Sequence, residues 1–199
     1  MHPEQFKAFD RICAERRARG SVLEVGAVPS EASLLCLPSL EGAVRKVGIN
    51  LEGPSSYRDF SILEADANDL RCFRDGEFDA VLCNAVFEHD LFFWKAFGEM
   101  LRVTRSGGLV VIGVPGFVKE PPSLWRALIR RAPLLGTLLP RRWSSRIVSA
   151  RVLAIHDCPS DYYRFSPQAV AGLLETGLND VRVYSHMRPP RIIGSGIKP

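Results

Sequence analysis

Two histidines in the sequence have the chemistry and the surroundings of a general base, because an imidazole titrates near neutral pH. His89 follows residues 78–83, an apolar stretch typical of a buried strand. His156 is followed directly by Asp157, and a carboxylate beside a histidine can orient and charge its ring. The sequence therefore offers two candidate bases, each with a structural alternative. His89 could bond to its own loop, and His156 could help to hold a neighbouring segment on the core.

A second group of polar positions follows apolar stretches and has the chemistry of a nucleoside site. Gly26 comes directly after residues 21–25 and opens a turn in which backbone N–H groups can face a ligand. Asn50 ends residues 44–50, where a side chain can bond to a ribose diol, although a solvated loop position is equally open. Asp66 lies just beyond residues 60–64. Its carboxylate can accept an adenine amino proton while the N–H of Ala67 donates to the ring.

The elements that must position these groups alternate between strands and helices. Apolar spacing and turn residues predict helices over residues 3–19, 29–37, 88–104 and 166–175. Short apolar runs predict strands over residues 21–25, 44–50, 60–64, 78–83, 109–114, 181–185 and 192–193. This alternation predicts an α/β fold: a Rossmann-like, doubly wound, mostly parallel sheet with helices on both faces. Ligands of such sheets bind outside the carboxyl ends of the strands, where the positions above would meet.

A strongly basic segment is expected to follow the fifth strand as a helical insertion, within one domain spanning residues 1–199. Residues 117–155, which form this insertion, carry eight lysines and arginines against a single acid, Glu120. Three interpretations stay open. The insertion could be a lid that selects an anionic acceptor, an amphipathic element that touches an anionic membrane, or a helical pair packed on the sheet.

Composition and cysteine usage exclude several classes of protein. The chain has 199 residues, 46% hydrophobic and 24% charged, which is ordinary for a globular domain. Its five cysteines form no metal-binding spacing, so we expect reduced thiols, a cytoplasmic location and no metal site. No nucleic-acid-binding module is recognisable, which makes nucleic acid an unlikely partner. A dinucleotide fingerprint of three glycines is absent after the first strand, which argues against a nicotinamide-dependent reductase.

An ordered series of motifs resembles the class I S-adenosylmethionine-dependent methyltransferases, specifically the small type 11 group. The series covers most of the chain outside the basic segment. Its motifs are residues 22–26 (VLEVG), 65–67 (ADA), 78–81 (FDAV), 87–89 (FEH), 99–103 (EMLRV), 107–111 (GGLVV) and 156–167 (HDCPSDYYRFSP).

The resemblance implies S-adenosylmethionine as the cofactor and assigns roles to matching positions. It implies that the methionine part would face Glu24 and Gly26, and that the adenine would meet Asp66 and Ala67. Asn50 would take the ribose position. Further roles follow for the carboxyl end of the fourth strand and for the C-terminal motif. Asn84 and Ala85 would line the pocket near the sulfonium, and Glu88, Tyr162 and Arg164 would contact the acceptor.

The function that the resemblance implies is methyl transfer to a small-molecule acceptor, with glycan, phosphorylated and lipid-linked compounds as candidates. Two departures from the family pattern support an alternative, a catalytically weakened protein that acts as a binding partner or regulatory subunit. Val28 and Ser30 stand where the family has its second and third glycines, and Asn50 replaces an acid. Side chains at glycine positions restrict both the backbone and the approach of a ligand.

Overall fold

The computed structural model describes residues 2–119, 150–152, 160–185 and 190–199. Within these ranges three α-helices form, α1 (Pro3–Glu15), α2 (Phe93–Val103) and α3 (Pro167–Glu175). The strands are β1 (Ser21–Val25), β2 (Arg45–Asn50), β3 (Ser55–Tyr57), β4 (Phe60–Glu64), β5 (Phe78–Asn84), β6 (Thr104–Pro115), β7 (Phe117–Lys119), β8 (Ala150–Val152), β9 (Asn179–Tyr184) and β10 (Arg191–Ile197).

Eight of these strands form one mixed sheet in the order β3-β4-β2-β1-β5-β6-β10-β9. The five central strands β4, β2, β1, β5 and β6 are parallel, whereas β3, β10 and β9 join by antiparallel pairing. Val25 at the end of β1 is level with Ile49 on β2 and Cys83 on β5, so the carboxyl ends of these strands share one edge. The strand order reverses between β1 and β5, which makes that edge the expected ligand position. The predicted α/β sheet is confirmed.

Both faces of the sheet are buried, and the two apolar clusters follow the two-residue alternation of the strands. On one face Val81 and Ile112 pack with α2 and α3, through residues such as Met100 and Leu174. On the other face the neighbouring residues pack with α1 and the segment that follows β1. Since β1, β2, β5 and the second half of β6 are covered on both sides, the sequence shows nearly continuous apolar runs there, whereas β4 is buried only at alternate residues.

The segment between β1 and β2 corrects the predicted helix over residues 29–37. It contains two 3-10 turns, Leu34–Cys36 and Pro38–Leu40, and no α-helix. The buried carboxylate of Glu24 accepts hydrogen bonds from the backbone N–H groups of Leu34 and Leu35, and Pro38 prevents the first turn from continuing. Glu24 thus takes the N–H groups that an α-helix would bond to Ser30 O and Glu31 O, and Pro38 ends the turn that follows.

Three other boundaries differ from the sequence-based prediction. The helix expected over residues 88–104 begins at Phe93, because the Asp90 carboxylate accepts a hydrogen bond from Phe92 N–H and holds a turn before it. The connection between β2 and β4 holds an additional edge strand, β3, in a hairpin. The described ends of the basic segment pair as an antiparallel ribbon, β7 with β8, and are therefore strands and not helices. Residues 120–149 and 153–155 of that segment lie outside the described residues.

The first helix ends at Glu15, four residues before the predicted end, in a Schellman motif. The N–H of Ala18 donates to Cys13 O, and that of Arg17 donates to Ala14 O. Arg17 occupies the left-handed position of this motif with φ of 52°. Glycine usually fills that position, because a Cβ atom makes the left-handed conformation unfavourable.

We expect Arg17→Gly to stabilise the protein. Removing the Cβ relieves the free-energy penalty of the left-handed conformation. This gain exceeds the entropic cost of the more flexible unfolded chain, so the free energy of unfolding should rise by about 0.5–1 kcal/mol. Urea unfolding of the wild type and the variant measures the difference. Arg19→Gly is the matched control, since Arg19 has no positive φ, and this variant should lose stability. A less stable Arg17→Gly variant would show that the arginine side chain makes a compensating contact.

Candidate functional site

A pocket of about 630 Å³ opens at the carboxyl ends of β1, β2, β4 and β5. It lies at the point where the strand order reverses. Its walls combine backbone from the loops with apolar and polar side chains. The lining residues are Val25, Gly26, Ile49, Asn50, Leu51, Ala65, Asp66, Ala67, Asn68, Ala85, Val86, His89, Asp90, Leu91, Phe92 and Tyr162.

The loop after β1 is fixed against the end of β2 by a small set of hydrogen bonds. The N–H groups of Gly26 and Ala27 both donate to Ile49 O, at 2.9 and 3.0 Å. The Asn50 side-chain amide donates to Ala27 O at 2.8 Å. Gly26 has φ of 79°, and a Cβ built on it would lie 2.4 Å from Val86 Cγ2. Only glycine therefore fits this turn, which brings its backbone to the pocket wall.

The two missing glycines have a structural explanation in the path of this loop. Neither Val28 nor Ser30 has a positive φ, so neither position requires glycine in this chain. Ser30 instead begins the turn that leads to the first 3-10 turn, with its carbonyl oxygen accepting from Ser33 N–H. The loop reaches the pocket through Gly26 alone.

The loop after β4 presents a carboxylate held in a defined turn. Oδ1 of Asp66 accepts from the backbone N–H of Asn68 at 2.8 Å, an Asx turn. The Asn68 side-chain amide also donates to Asp90 at 2.9 Å, which links this loop to the one after β5. Oδ1 of Asn68 is buried and has no hydrogen-bond partner in the structure. A buried acceptor without a partner is costly in a folded protein unless water or a ligand satisfies it.

His89 and Tyr162 form the wall of the pocket farthest from β2. His89 Nδ1 lies 3.3 Å from Ser160 O, so the tautomer protonated on Nδ1 can donate this bond and leaves the basic lone pair on Nε2. The N–H of Tyr162 donates to Glu88 O at 2.7 Å. The segment after residue 159 is thereby tied to the loop after β5, and the ring of Tyr162 reaches the pocket rim.

Glu88 is almost completely buried, with 1% exposure, and lies behind this wall. Burial raises the pKa of its carboxyl to about 7, although the charges of Arg164 and Arg191 favour the ionised form. Its Oε2 has no hydrogen-bond partner in the part of the chain that the structure describes. Arg164 forms a two-pronged ion pair with Asp161 close by. Behind the wall formed by His89 and Tyr162, the ion pair of Arg164 and Asp161 therefore lies close to the buried Glu88 carboxyl.

The structure brings together seven of the residues singled out in the sequence. The pocket is lined by Gly26, Asn50, Asp66, Ala67, Ala85, His89 and Tyr162. Glu88 and Arg164 lie behind its wall and are not among the lining residues. The roles assigned to all of these residues stay predictions.

Glu24 and Asn84 are placed differently from the expected cofactor contacts. The Glu24 carboxylate is buried and bonded to Ser33 and to the first 3-10 turn, and burial raises its pKa to about 7. The Asn84 side chain accepts from Gln5 Nε2 of α1 at 2.9 Å, on the other face of the sheet. Both side chains position the loops around the pocket and do not line it. His156 lies outside the described residues.

Several lining residues were not predicted as site residues. Asn68 could have been found, because an aspartate followed two residues later by asparagine is typical of an Asx turn. Asp90 carries a similar signal, since it precedes the helix as a turn former. Leu91 and Phe92 carry none, because apolar residues at helical spacing are expected to be core, and both are about 45% exposed here.

The described residues contain neither a membrane-spanning helix nor a cluster of metal ligands. No helix in residues 2–119, 160–185 and 190–199 is long and apolar enough to cross a membrane. In the same part of the chain, no group of three or more histidine, cysteine, aspartate or glutamate side chains is placed to hold a metal ion.

Comparison with known families agrees with the motifs. Residues 32–112 match a family model described as a methyltransferase domain. No curated protein matches the sequence.

Solved structures share the fold over nearly the whole chain. A methyltransferase of Burkholderia thailandensis, with bound 1,6-didemethyltoxoflavin and S-adenosylhomocysteine, has a TM-score of 0.64 at 16% identity, covering 97% of this chain and 77% of its own. An S-adenosylmethionine-dependent methyltransferase of Archaeoglobus fulgidus has a TM-score of 0.62 at 16% identity, covering 98% and 94%. The N-methyltransferase NodS of Bradyrhizobium japonicum, with S-adenosylhomocysteine, has a TM-score of 0.59 at 15% identity, covering 98% and 86%.

The resemblance to class I methyltransferases is therefore confirmed: residues 32–112 match the family model, and solved methyltransferases share the fold over nearly the whole chain. Neither comparison favours the alternative of an inactive binding partner.

Proposed function

From the class I methyltransferase fold of this chain, we propose that it transfers a methyl group from S-adenosylmethionine to a small-molecule acceptor. The observation that carries the proposal is the pocket at the reversal of strand order. It unites Gly26, Asp66 and Ala67 with His89 in about 630 Å³. This volume is typical of small-molecule sites. Two of the structural neighbours named above, those from Burkholderia thailandensis and Bradyrhizobium japonicum, hold S-adenosylhomocysteine, which supports the same cofactor here.

The residues of the pocket fit this cofactor at three points. The positive φ of Gly26 leaves its backbone without a side chain, so a ligand can approach the loop closely. Oδ2 of Asp66 has no hydrogen bond within the described residues and can accept from an adenine amino group. The buried, unpartnered Oδ1 of Asn68 offers a second acceptor in the same wall.

Apolar side chains provide the flat surfaces that a purine ring needs. Ile49 and Leu51 line the pocket beside β2, and Val86 lines it beside β5. Leu51 is 73% exposed, so its side chain is available to cover one face of a bound ring. Burial of such a side chain against a ring would remove apolar surface from water.

The cofactor, when bound, supplies a methyl group on an electrophilic sulfonium. Transfer from a sulfonium is an in-line displacement, so the chain contributes chiefly by aligning the acceptor and excluding water. We place the acceptor between His89 and Tyr162, on the side of the pocket away from β2. If the methyl-accepting atom must lose a proton, His89 would take up that proton. Ser160 O would orient the His89 ring.

A small acceptor is supported by the neighbour from Burkholderia thailandensis, which binds 1,6-didemethyltoxoflavin. A cytoplasmic location is part of the proposal, because Cys13, Cys36, Cys72 and Cys83 are free thiols.

Asp66→Asn tests the cofactor site with little change of shape. The amide keeps an oxygen for the Asx turn with Asn68, but its NH2 group cannot accept from adenine. We expect S-adenosylhomocysteine to bind on the order of tenfold more weakly, as measured by calorimetry. Asp69→Asn is the matched control, since that carboxylate pairs with Arg71 outside the pocket and the variant should bind normally.

Two outcomes would contradict the proposal. A wild-type protein that binds neither S-adenosylmethionine nor S-adenosylhomocysteine at millimolar concentration has no cofactor site of this kind. Equal affinities for the Asp66→Asn and Asp69→Asn variants would remove Asp66 from the site.

A further inference from the structure

A second depression, which we call the basic groove, lies at the end of the sheet opposite the methyl-transfer pocket. It has a volume of about 360 Å³ and is lined by Arg17, Arg19, Ser39 and Gly42 among others. Arg17 and Arg19 directly precede β1, so the groove is at the amino ends of the strands. The methyl-transfer pocket is at their carboxyl ends, and the two share no lining residue.

The two arginines of the groove form no ion pair with the described residues, unlike the arginines around them. Neither Arg17 nor Arg19 forms a salt bridge with any acid in the described part of the chain. Their neighbours do: Arg16 pairs with Asp180 at 2.5 Å, and Arg105 pairs with Asp79 at 2.7 Å. Two arginines therefore line one concave surface without an ion pair among the described residues, which favours an anionic ligand.

A polar atom in the wall of the groove also has no partner. Ser39 Oγ is buried and makes no hydrogen bond with the described residues, while the backbone N–H of Ser39 donates to Asp10 at 2.8 Å. The Asp10 carboxylate is not among the lining residues of the groove. A serine hydroxyl can donate to an oxyanion, which would satisfy this atom.

The backbone of Arg17 provides an independent indication. A non-glycine residue in the left-handed conformation costs free energy, and such positions are often maintained for the sake of the side chain. The Schellman motif fixes the Arg17 backbone, so its side chain starts from a defined point in the wall of the groove. Arg19 is fixed as well, since its carbonyl oxygen accepts from Val44 N–H.

We propose that the basic groove binds a phosphate-bearing small molecule. The guanidinium groups of Arg17 and Arg19 would each donate to phosphate oxygens, a geometry in which arginine binds two oxygens at once. The Ser39 hydroxyl would donate a further hydrogen bond. The volume accommodates the phosphate with a small organic part.

Calorimetric titration with inorganic phosphate tests the groove in the full-length protein. We expect saturable binding to the wild type, weakened by on the order of tenfold in Arg17→Gly. The same variant should be more stable than the wild type, so lost binding cannot be due to misfolding. Gly42→Glu should abolish binding. A Cβ at Gly42 meets nothing within 4 Å and the residue has no positive φ, so the new carboxylate can enter the groove without strain.

Arg74→Gln is the matched control for charge, because it removes one exposed arginine outside the groove. It should bind phosphate like the wild type. Equal weakening in Arg74→Gln and Arg17→Gly would show a diffuse charge effect and overturn the proposal, as would no binding at millimolar phosphate. Binding to phosphatidic acid vesicles without binding to free phosphate would assign the groove to a membrane surface and would also overturn it. S-adenosylhomocysteine affinity should be unchanged in all three variants, which separates this test from that of the methyltransferase function.

Discussion

Replacing Gly26 by alanine should destroy the cofactor side of the pocket. The added Cβ would lie 2.4 Å from Val86 Cγ2, and the residue has φ of 79°. The left-handed penalty and the forced displacement together cost about 2–4 kcal/mol. Because Val86 lines the pocket, any relief of the clash moves a side chain or the loop into ligand space. We expect S-adenosylhomocysteine to bind at least about tenfold more weakly, with a clear loss of stability in urea.

Gly98→Ala is the control for this substitution, and its expected effect has the opposite sign. Gly98 is exposed on α2, where an added Cβ meets nothing within 4 Å. Alanine favours a helix interior by roughly 1 kcal/mol over glycine, so the variant should be more stable and should bind the cofactor normally. Normal binding by Gly26→Ala would show that the loop after β1 takes no part in the site.

The Gly26 loop also shows which parts of the fold the sequence could predict. Apolar runs with a turn residue at their carboxyl ends placed β1, β2, β4 and β5 within a residue or two, because buried strands leave a strong hydrophobic pattern. Parallel pairing then brings strand ends to one edge, so Gly26, Asn50 and Asp66 were expected to meet and do line one pocket. Their neighbourhood was predictable from the topology alone.

Side-chain direction was less predictable than position. Glu24 and Asn84 stand at the expected strand ends, yet one bonds to the first 3-10 turn and the other bonds to Gln5 of α1. A strand alternates its side chains between faces, and a shift of one residue decides which face a polar group meets. The helix expected over residues 29–37 was wrong for a related reason. The hydrogen bonds that replace the helical ones go to Glu24, which lies outside the stretch whose spacing predicted the helix.

Glu88 combines near-complete burial with a titratable carboxyl, and this affects how stability depends on pH. Burial raises its pKa in the folded protein from 4.5 to about 7. The folded state therefore holds a proton that the unfolded state releases between these two values. The favourable contribution of the protonated group is complete below about pH 4.5 and is lost as pH rises to about 7. Glu24, whose pKa is also raised to about 7, acts in the same window and in the same direction.

Glu88→Gln should remove this share of the pH dependence, because glutamine resembles the protonated carboxyl and does not ionise. We expect the variant and the wild type to have similar stability near pH 5. At pH 8 the variant should be more stable by about 1–3 kcal/mol, the scale that a shift of this size implies. Its remaining loss of stability between these pH values would come largely from Glu24.

Urea unfolding at several pH values measures both curves, and Glu41→Gln, at an exposed position, should follow the wild type. Parallel curves for Glu88→Gln and the wild type would mean that Glu88 is ionised in the folded state throughout, held by Arg164 and Arg191 more strongly than burial opposes it.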